Sequence, residues 1–287
     1  DKPKEGYVYN TIERANLVEA QWKAHGVKTT VVVTMDFSSL VMMELMDRQK
    51  AREAKGIRYP RMEHVLSVNG GFFADGHTHT GIGNGTPLVR DRFGRVSASA
   101  AQRSNMVMNK MLLPLYSPEY RRAKVCRQEI KECQKAIRLH QGTRALANMN
   151  HFVDEHKKRA DRWDLLSLYQ SYCEDQDISF HLIFSEKEEF ENEQFGLVKR
   201  RMKPFSDKVR AEKIAGGHMA MFEQAGTLVN RILNVVHKAK EVKEKSQRSW
   251  ADTESPTGST SSMSWTSPRA AQVDYGLSSS VGYGLAY

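Results

Sequence analysis

The sequence TTVVVTMDFSSLVMMELMDRQKAREAKG, from Thr29 to Gly56, joins two different local patterns. Its first six residues are all β-branched and predict a strand, because a side chain branched at Cβ fits a pleated strand better than a helix. Ser38 or Ser39 is a suitable residue to begin a helix, and Gly56 is suitable to end it. The stretch therefore predicts a strand followed by a helix.

A further helix is predicted immediately before this strand. Asn10 can accept a hydrogen bond at the start of the helix, and Glu13 stands three residues later, as in a capping box. Apolar residues then recur on one face until Gly26, which gives a predicted helix over 11–25. The N-terminal segment, residues 1–64, is thus expected to fold as helix, strand, helix.

The next segment, residues 65–114, is rich in glycine. It begins with a short strand-like piece, VLSV at 65–68, and carries turn signals at Asp75-Gly76 and Asn84-Gly85. Closely spaced turns between short strand-like pieces predict a β-hairpin or an extended segment here.

The segment 115–245 has apolar residues at alternating spacings of three and four, the pattern of helices that pack along a narrow seam. Ser117 can begin the first of these helices, with Pro118 in its first turn. Residues 178–184 alternate between apolar and polar and predict a strand between the helices. The segment is therefore predicted to be a basic helical bundle. For the whole chain we predict a mainly α fold with a small β element, a helical bundle or coiled-coil-like hairpin.

The last segment, residues 246–287, differs in composition from the rest. Ser, Thr, Gly and Pro fill half of its 42 positions, a composition typical of a flexible tail. Large aromatic side chains nevertheless recur along it, and each offers a wide apolar contact. We therefore expect an extended C-terminal arm that contacts a neighbouring subunit or partner. Its candidate contact residues are Trp250, Trp265, Tyr275, Tyr283 and Tyr287.

Positive charge is the strongest compositional signal of function. Lys and Arg outnumber Asp and Glu by 43 to 34, and the isoelectric point is about 9.4. A basic chain of this kind favours nucleic acid as a partner, with RNA as the first choice, because phosphate contacts need positive charge more than a particular side-chain pattern. The candidate phosphate contacts lie on predicted helices and comprise Arg121, Arg122, Lys124, Arg127, Lys157, Lys158, Arg159, Arg162, Lys199, Arg200, Arg201 and Lys203.

The glycine-rich segment also contains a His-x-His pair. His77 and His79 would point to the same side of a strand, where two imidazoles could share a metal ion, and Asp75 lies beside them. Residues 71–79 resemble the His-x-His motif of the amidohydrolase family, which implies a metal-dependent (β/α)₈ barrel with further metal-binding histidines. Residues 68–73 similarly resemble a short signature of phosphodiester glycosidase domains. Both families need many more strands than the rest of this sequence predicts.

These observations favour a non-enzymatic structural assembly protein, such as a nucleocapsid, coat or ribonucleoprotein component. It would bind the nucleic acid backbone through its basic helices and neighbouring copies through its arm, without a cofactor or a structural metal. Two alternatives stay open. One is a scaffold protein of a large filament, such as a microtubule-associated lattice protein. The other is a metal-dependent hydrolase that uses the His-x-His segment.

Cysteine content and hydropathy predict the compartment. Three cysteines, an odd number in a chain of 287 residues, do not suggest a disulfide framework, so a reducing intracellular compartment is expected, with a virion or an organellar particle as options. The sequence contains no run of the roughly 18 apolar residues that a membrane-spanning helix needs. No membrane partner is therefore expected.

Overall fold

The computed structural model describes residues 10–77, 96, 99–139, 152–188 and 191–253. Within these residues one sheet of four parallel strands forms the centre of the fold. Its strands, in their order across the sheet, are β1 (Thr29–Met35), β2 (Arg61–Val68), β3 (Ser179–Ser185) and β4 (Val209–Ile214). Because all four strands run the same way, their carboxyl ends meet at one edge of the sheet.

The described residues also form helices, which are numbered in the order of the chain. They are α1 (Thr11–Ala24), α2 (Ser38–Glu53), α3 (Asn105–Leu112), α4 (Lys124–Arg138), α5 (Phe152–Lys158), α6 (Leu165–Leu168), α7 (Asn192–Arg201), α8 (Ala220–Glu223) and α9 (Ala225–Thr253). Helix α2 connects β1 to β2, and α7 connects β3 to β4, as parallel neighbours require. The chain divides into two compact units, residues 1–244 and 245–287, and the second is described as far as residue 253.

Both faces of the sheet are covered by apolar side chains. On one face Val65 and Phe180, which lie opposite each other on β2 and β3, pack with residues of α2, α6 and α7. On the other face Leu66 and Ile183 pack against Leu228 of α9. Burial on both faces is why β3 is almost continuously buried from one end to the other.

The helix, strand and helix predicted between residues 10 and 56 are confirmed. Helix α1 begins where expected, with Oδ1 of Asn10 accepting a hydrogen bond from the backbone N–H of Glu13 at 2.8 Å. Strand β1 and helix α2 also lie where the β-branched run and Ser38 placed them. The strand predicted at 178–184 is β3. These elements were predictable because each depends on a local pattern.

The predicted fold class, a mainly α helical bundle, is wrong. The fold is α/β, with a four-stranded parallel sheet at its centre. The strand piece at 65–68 belongs to β2, which pairs in parallel with β1 and β3 and is therefore not part of a hairpin. The seam of three-and-four spacings is the buried face of the amphipathic helix α4, where Cys126, Ile130 and Cys133 are buried. Such a face packs equally well in an α/β protein.

Helix α4 also begins later than predicted. Ser117 accepts a hydrogen bond from the N–H of Tyr120 at 3.3 Å and so begins a short 3₁₀ turn, and α4 itself starts at Lys124. The three cysteines are buried and form no disulfide with one another. In the part of the chain that the structure describes, no helix is both long enough and apolar enough to span a bilayer.

Candidate active site

A sharp turn between β1 and α2 places Asp36 at the carboxyl edge of the sheet. Its backbone φ is 53°, in the left-handed region that residues other than glycine rarely adopt. The N–H of Asp36 donates to Val68 O at 2.9 Å, and the N–H and Oγ–H of Ser39 donate to Asp36 O at 3.0 and 2.8 Å. The turn is thus held from two sides, and backbone strain held in this way is typical of functional positions.

His218 approaches Asp36 from the far side of the sheet. It follows β4 after Gly216, which has a φ of 115°, and Gly217. A Cβ atom on Gly217 would lie 2.5 Å from the backbone nitrogen of Ser117, so only glycine lets the chain pass at this point. The His218 side chain then lies among residues from the ends of the other strands.

The imidazole of His218 lies between two carboxylates. Its Nδ1 is 2.9 Å from Oε2 of Glu188, which follows β3, and its Nε2 is 3.7 Å from Oδ2 of Asp36. His218 and Glu188 are both buried, whereas about a quarter of the Asp36 side chain, 28%, is exposed. The structure therefore arranges acid, histidine and acid in a line, with the more accessible acid on the strained turn.

These charges shift the proton affinity of His218. Burial alone would lower its pKa, but hydrogen bonding and the negative charges of Asp36 and Glu188 outweigh burial and raise the pKa to about 10. At neutral pH the imidazole accordingly carries a proton and stabilises Asp36 as a carboxylate. A carboxylate is the form that can act as a nucleophile.

Asn69 fixes the geometry of this edge from the end of β2. Its Nδ2 donates to Ser185 Oγ and to His218 O, both at 2.9 Å, and its Oδ1 accepts from Ser185 N at 2.7 Å. Its φ of 49° is, like that of Asp36, unusual for a residue with a side chain. Asn69 therefore ties the ends of β2 and β3 to the segment that carries His218.

A second buried chain of polar groups lies at the same edge. Nδ1 of His77 is 2.8 Å from Oε1 of Glu191, and its Nε2 is 2.7 Å from Nδ1 of His156. Nε2 of His156 is in turn 2.6 Å from Trp163 O. The backbone N–H of Glu191 donates to Oε1 of Glu188 at 3.2 Å, which links the two groups of residues.

His77 and Asp75, the residues of the predicted metal site, have protein partners in the structure. Both ring nitrogens of His77 are used as just described, and the carboxylate of Asp75 pairs with the guanidinium of Arg201. His79 lies outside the described residues. Among the residues that are described, no three His, Cys, Asp or Glu side chains are arranged to hold a metal ion.

Most of the predicted phosphate contacts are exposed, but three are partly buried and paired with neighbouring groups. Arg121 donates to Tyr116 O, Arg162 to Glu44, and Arg201 to Asp75. The exposed residues are Arg122, Lys124, Arg127, Lys157, Lys158, Arg159, Lys199, Arg200 and Lys203. A nucleic-acid surface at these residues stays a prediction.

The side chains of the predicted arm residues are outside the described part of the protein. Trp265, Tyr275, Tyr283 and Tyr287 lie outside the described residues. Trp250 lies in α9, but its side chain is not described. Contact of the arm with a neighbouring subunit therefore also stays a prediction.

Comparison with known proteins identifies the fold. No family model and no curated protein matches the sequence. Solved structures do match, and among them are α/β-hydrolase folds with a parallel central sheet. The ligand-free epoxide hydrolase CorEH matches with a TM-score of 0.54 and 11% identity, over 82% of this chain and 77% of that chain.

Two further matches have the same fold. A meta-cleavage product hydrolase from Pseudomonas fluorescens gives a TM-score of 0.53 at 12% identity, over 83% of this chain and 75% of that chain. A carboxylesterase of Nitrososphaera gargenis gives 0.50 at 7% identity, over 82% and 74%. The chain thus has the α/β-hydrolase fold.

This finding corrects the functional hypothesis drawn from the sequence. The prediction of a non-enzymatic nucleocapsid, coat or ribonucleoprotein component is wrong, because the chain has the fold of solved hydrolase structures and not that of a helical bundle. The three matched structures named above are those of enzymes. Sequence reasoning missed Asp36, Glu188 and His218, although a β-branched run before Asp36 and a Gly-Gly pair before His218 were visible. In the glycine-x-serine-x-glycine turn of hydrolases, the nucleophile likewise follows a strand and precedes a helix.

Proposed function

We propose that the protein is a hydrolase in which Asp36 is the nucleophile, His218 the general base and Glu188 the acid that orients and stabilises His218. The single observation that carries this proposal is the position of Asp36 on a left-handed turn between a strand and a helix, 3.7 Å from His218. Similarity to the fold of CorEH and other hydrolases supports it.

A carboxylate nucleophile restricts the substrate class. Attack on a carboxylic ester would give an anhydride, which is less stable than the ester that was attacked. Attack on an sp³ carbon of a strained ring instead gives an alkyl ester, which water can hydrolyse. We therefore propose an epoxide as the substrate. One of the matched structures is an epoxide hydrolase, which agrees with this chemistry.

The first half of the reaction forms a covalent ester. One carboxylate oxygen of Asp36 attacks an epoxide carbon, a C–O bond of the ring breaks, and the alkoxide takes up a proton. Esterification removes the negative charge of Asp36, one of the two charges that raise the pKa of His218. Its pKa therefore falls, and the proton that His218 releases through solvent balances the one that the alkoxide takes up.

The second half hydrolyses this ester. Neutral His218 accepts a proton from water through Nε2, and the hydroxide attacks the carbonyl carbon of Asp36. Glu188, at 2.9 Å from Nδ1, stabilises the imidazolium that forms. The bond between this carbonyl carbon and the substrate oxygen breaks, the diol leaves with a proton, and the Asp36 carboxylate and the His218 imidazolium are restored.

Hydrolysis of an aryl epoxide such as styrene oxide tests the proposal. We expect diol formation by the wild-type protein and a loss of roughly 10⁴-fold or more in Asp36→Asn, as in other enzymes that lose a nucleophile. Asp75→Asn is the matched control, because it removes an exposed carboxylate, and we expect it to keep full activity. Equal activity in the wild type and Asp36→Asn would contradict the proposal, as would hydrolysis of carboxylic esters alone.

A further inference from the structure

A series of hydrogen bonds runs from Trp163 O through His156 and His77 to Glu191. Its buried side chains come from three separate segments. His77 follows β2, His156 belongs to α5, and Glu191 immediately precedes α7. The side chains of His77 and Glu191 are each 1% exposed, and His156 is fully buried. Buried polar groups are costly unless each is hydrogen-bonded, so the proton positions in this chain are constrained.

The direction of each hydrogen bond follows from the first. Trp163 O can only accept, so Nε2 of His156 carries a hydrogen and donates to it. Nδ1 of a neutral His156 then has a lone pair and accepts from the Nε2–H of His77. Nδ1 of a neutral His77 likewise has only a lone pair, so the proton between it and Glu191 comes from the carboxyl group.

Burial keeps both imidazoles neutral. Desolvation is the main cause that lowers the pKa of His77 and the pKa of His156, each to about 4. Lys157 lowers the pKa of His77 further, whereas Asp36 and Asp75 raise it. His77 lowers the pKa of His156, whereas Asp164 and Asp75 raise it. With both rings neutral, each carries one proton, on Nε2, so the proton between Nδ1 of His77 and Glu191 is one that the carboxyl group supplies.

The Glu191 end of this series of hydrogen bonds lies next to Glu188. The N–H of Glu191 donates to Oε1 of Glu188, whose Oε2 faces His218. A cavity of about 60 Å³, large enough for a few water molecules, is lined by both acids and by the charged side chains of Glu186 and Lys213. The backbone position of Glu191 thus bears directly on the orientation of the Glu188 carboxylate.

We propose that Glu191 is a protonated carboxylic acid that, through His77 and His156, holds its own backbone N–H in place and so positions the Glu188 carboxylate against His218. Glu191 is then a positioning residue. Its effect on catalysis rests on the proposed function, whereas its protonation and its effect on His218 do not.

Two substitutions of Glu191 distinguish a neutral acid from a charged one. The amide of Glu191→Gln donates to Nδ1 of His77 as a protonated carboxyl would, so this variant should retain the melting temperature and the activity of the wild type. Glu191→Ala leaves His77 without its donor and should melt roughly 2–10 °C lower. Glu193→Ala, at an exposed position of α7, is the matched control and should behave as the wild type.

Two spectroscopic readouts do not depend on catalysis. The infrared difference between the wild type and Glu191→Gln should contain the C=O stretch of a protonated carboxyl group at neutral pH. Nuclear magnetic resonance titration of His218 should show the raised pKa in the wild type and in Glu191→Gln, and a lower pKa in Glu191→Ala. If the wild type hydrolyses epoxides, Glu191→Ala should lose roughly 10²-fold of that activity, as small displacements of catalytic groups do.

The opposite results overturn the inference. A Glu191→Gln variant as unstable as Glu191→Ala would show a charged Glu191 paired with a protonated His77. Absence of the carboxyl band would likewise show that Glu191 is charged. A His218 pKa that is unchanged in Glu191→Ala would contradict the positioning role of Glu191. If epoxide hydrolysis fails while the band and the His218 shift are found, the proposed substrate is wrong and the role of Glu191 stands.

Discussion

Oδ2 of Asp36 lies 3.7 Å from Nε2 of His218, although the two residues follow β1 and β4, the first and last of the four strands across the sheet. Parallel strands make this meeting possible, since their carboxyl ends share one edge and the connections above that edge can converge. The pairing of a strained carboxylate with a histidine is the basis of the predictions that follow.

His218→Gln should separate the two halves of the reaction. Asp36 can still be alkylated, but no base activates the water that hydrolyses the ester, so turnover should fall about 10²–10⁴-fold. Intact-protein mass spectrometry after incubation with an aryl epoxide should show the mass of one added substrate. His25→Gln, remote in sequence and exposed, is the control and should show no adduct at steady state. Full turnover by His218→Gln would contradict the role of His218.

The raised pKa of His218 predicts how stability depends on pH on the alkaline side. The folded protein holds this proton up to a pH of about 10, whereas an unfolded histidine releases it near 6.5. The stabilisation is therefore complete below about 6.5 and is lost as the pH rises through about 10. Urea unfolding at several pH values should show this loss in the wild type and not in His218→Gln. A pH-independent difference between them would contradict the prediction.

The second histidine pair predicts the opposite dependence on the acid side. His77 and His156 have pKa values lowered to about 4, so between pH 6.5 and 4 the unfolded chain binds protons that the folded protein excludes. Each histidine should lower stability over this range by up to about 3 kcal/mol, and a Glu191 that is protonated in the folded protein but ionised in the unfolded chain should offset part of this fall. His156→Gln should show a smaller fall than the wild type in acid unfolding. A variant that loses stability as steeply as the wild type would show that His156 is not the group that titrates.

Gly217→Ala tests the close passage of the chain before His218. The added Cβ would lie 2.5 Å from Ser117 N and 2.7 Å from the carbonyl carbon of Tyr116, both backbone atoms. We expect a destabilisation of about 1–3 kcal/mol and a larger loss of activity, because His218 is the next residue. Gly226→Ala is the control, since its Cβ would meet no atom within 4 Å, and it should be neutral or stabilising by about 1 kcal/mol. Equal effects of the two substitutions would contradict the account.

The sequence predicted elements whose pattern is local and missed those that depend on tertiary contacts. Strand β1 was predictable from its β-branched run. Strand β4 was not, because its Arg210, Glu212 and Lys213 resemble part of a charged helix. At the edge of the sheet these side chains can stay partly exposed, so charge there does not oppose strand formation.

The candidate site was out of reach for a related reason. Asp36, Glu188 and His218 are far apart in the sequence, and the residues around each of them form no motif that marks a catalytic group. Their meeting depends on the parallel order of four strands, which the helical-bundle hypothesis excluded. His77 was recognised as a candidate, but its partners Glu191 and His156 come from other segments, and they make it part of a hydrogen-bonded chain.

A single turnover in water labelled with heavy oxygen tests the central claim, covalent catalysis by Asp36, most directly. With protein in excess over an aryl epoxide, the oxygen of the attacking water should enter the Asp36 carboxylate, and peptide mass spectrometry should find the label in the peptide that contains Asp36. The diol from this first turnover should be unlabelled. Label in the diol and none in the Asp36 peptide would mean that water attacks the substrate directly, which would contradict the account.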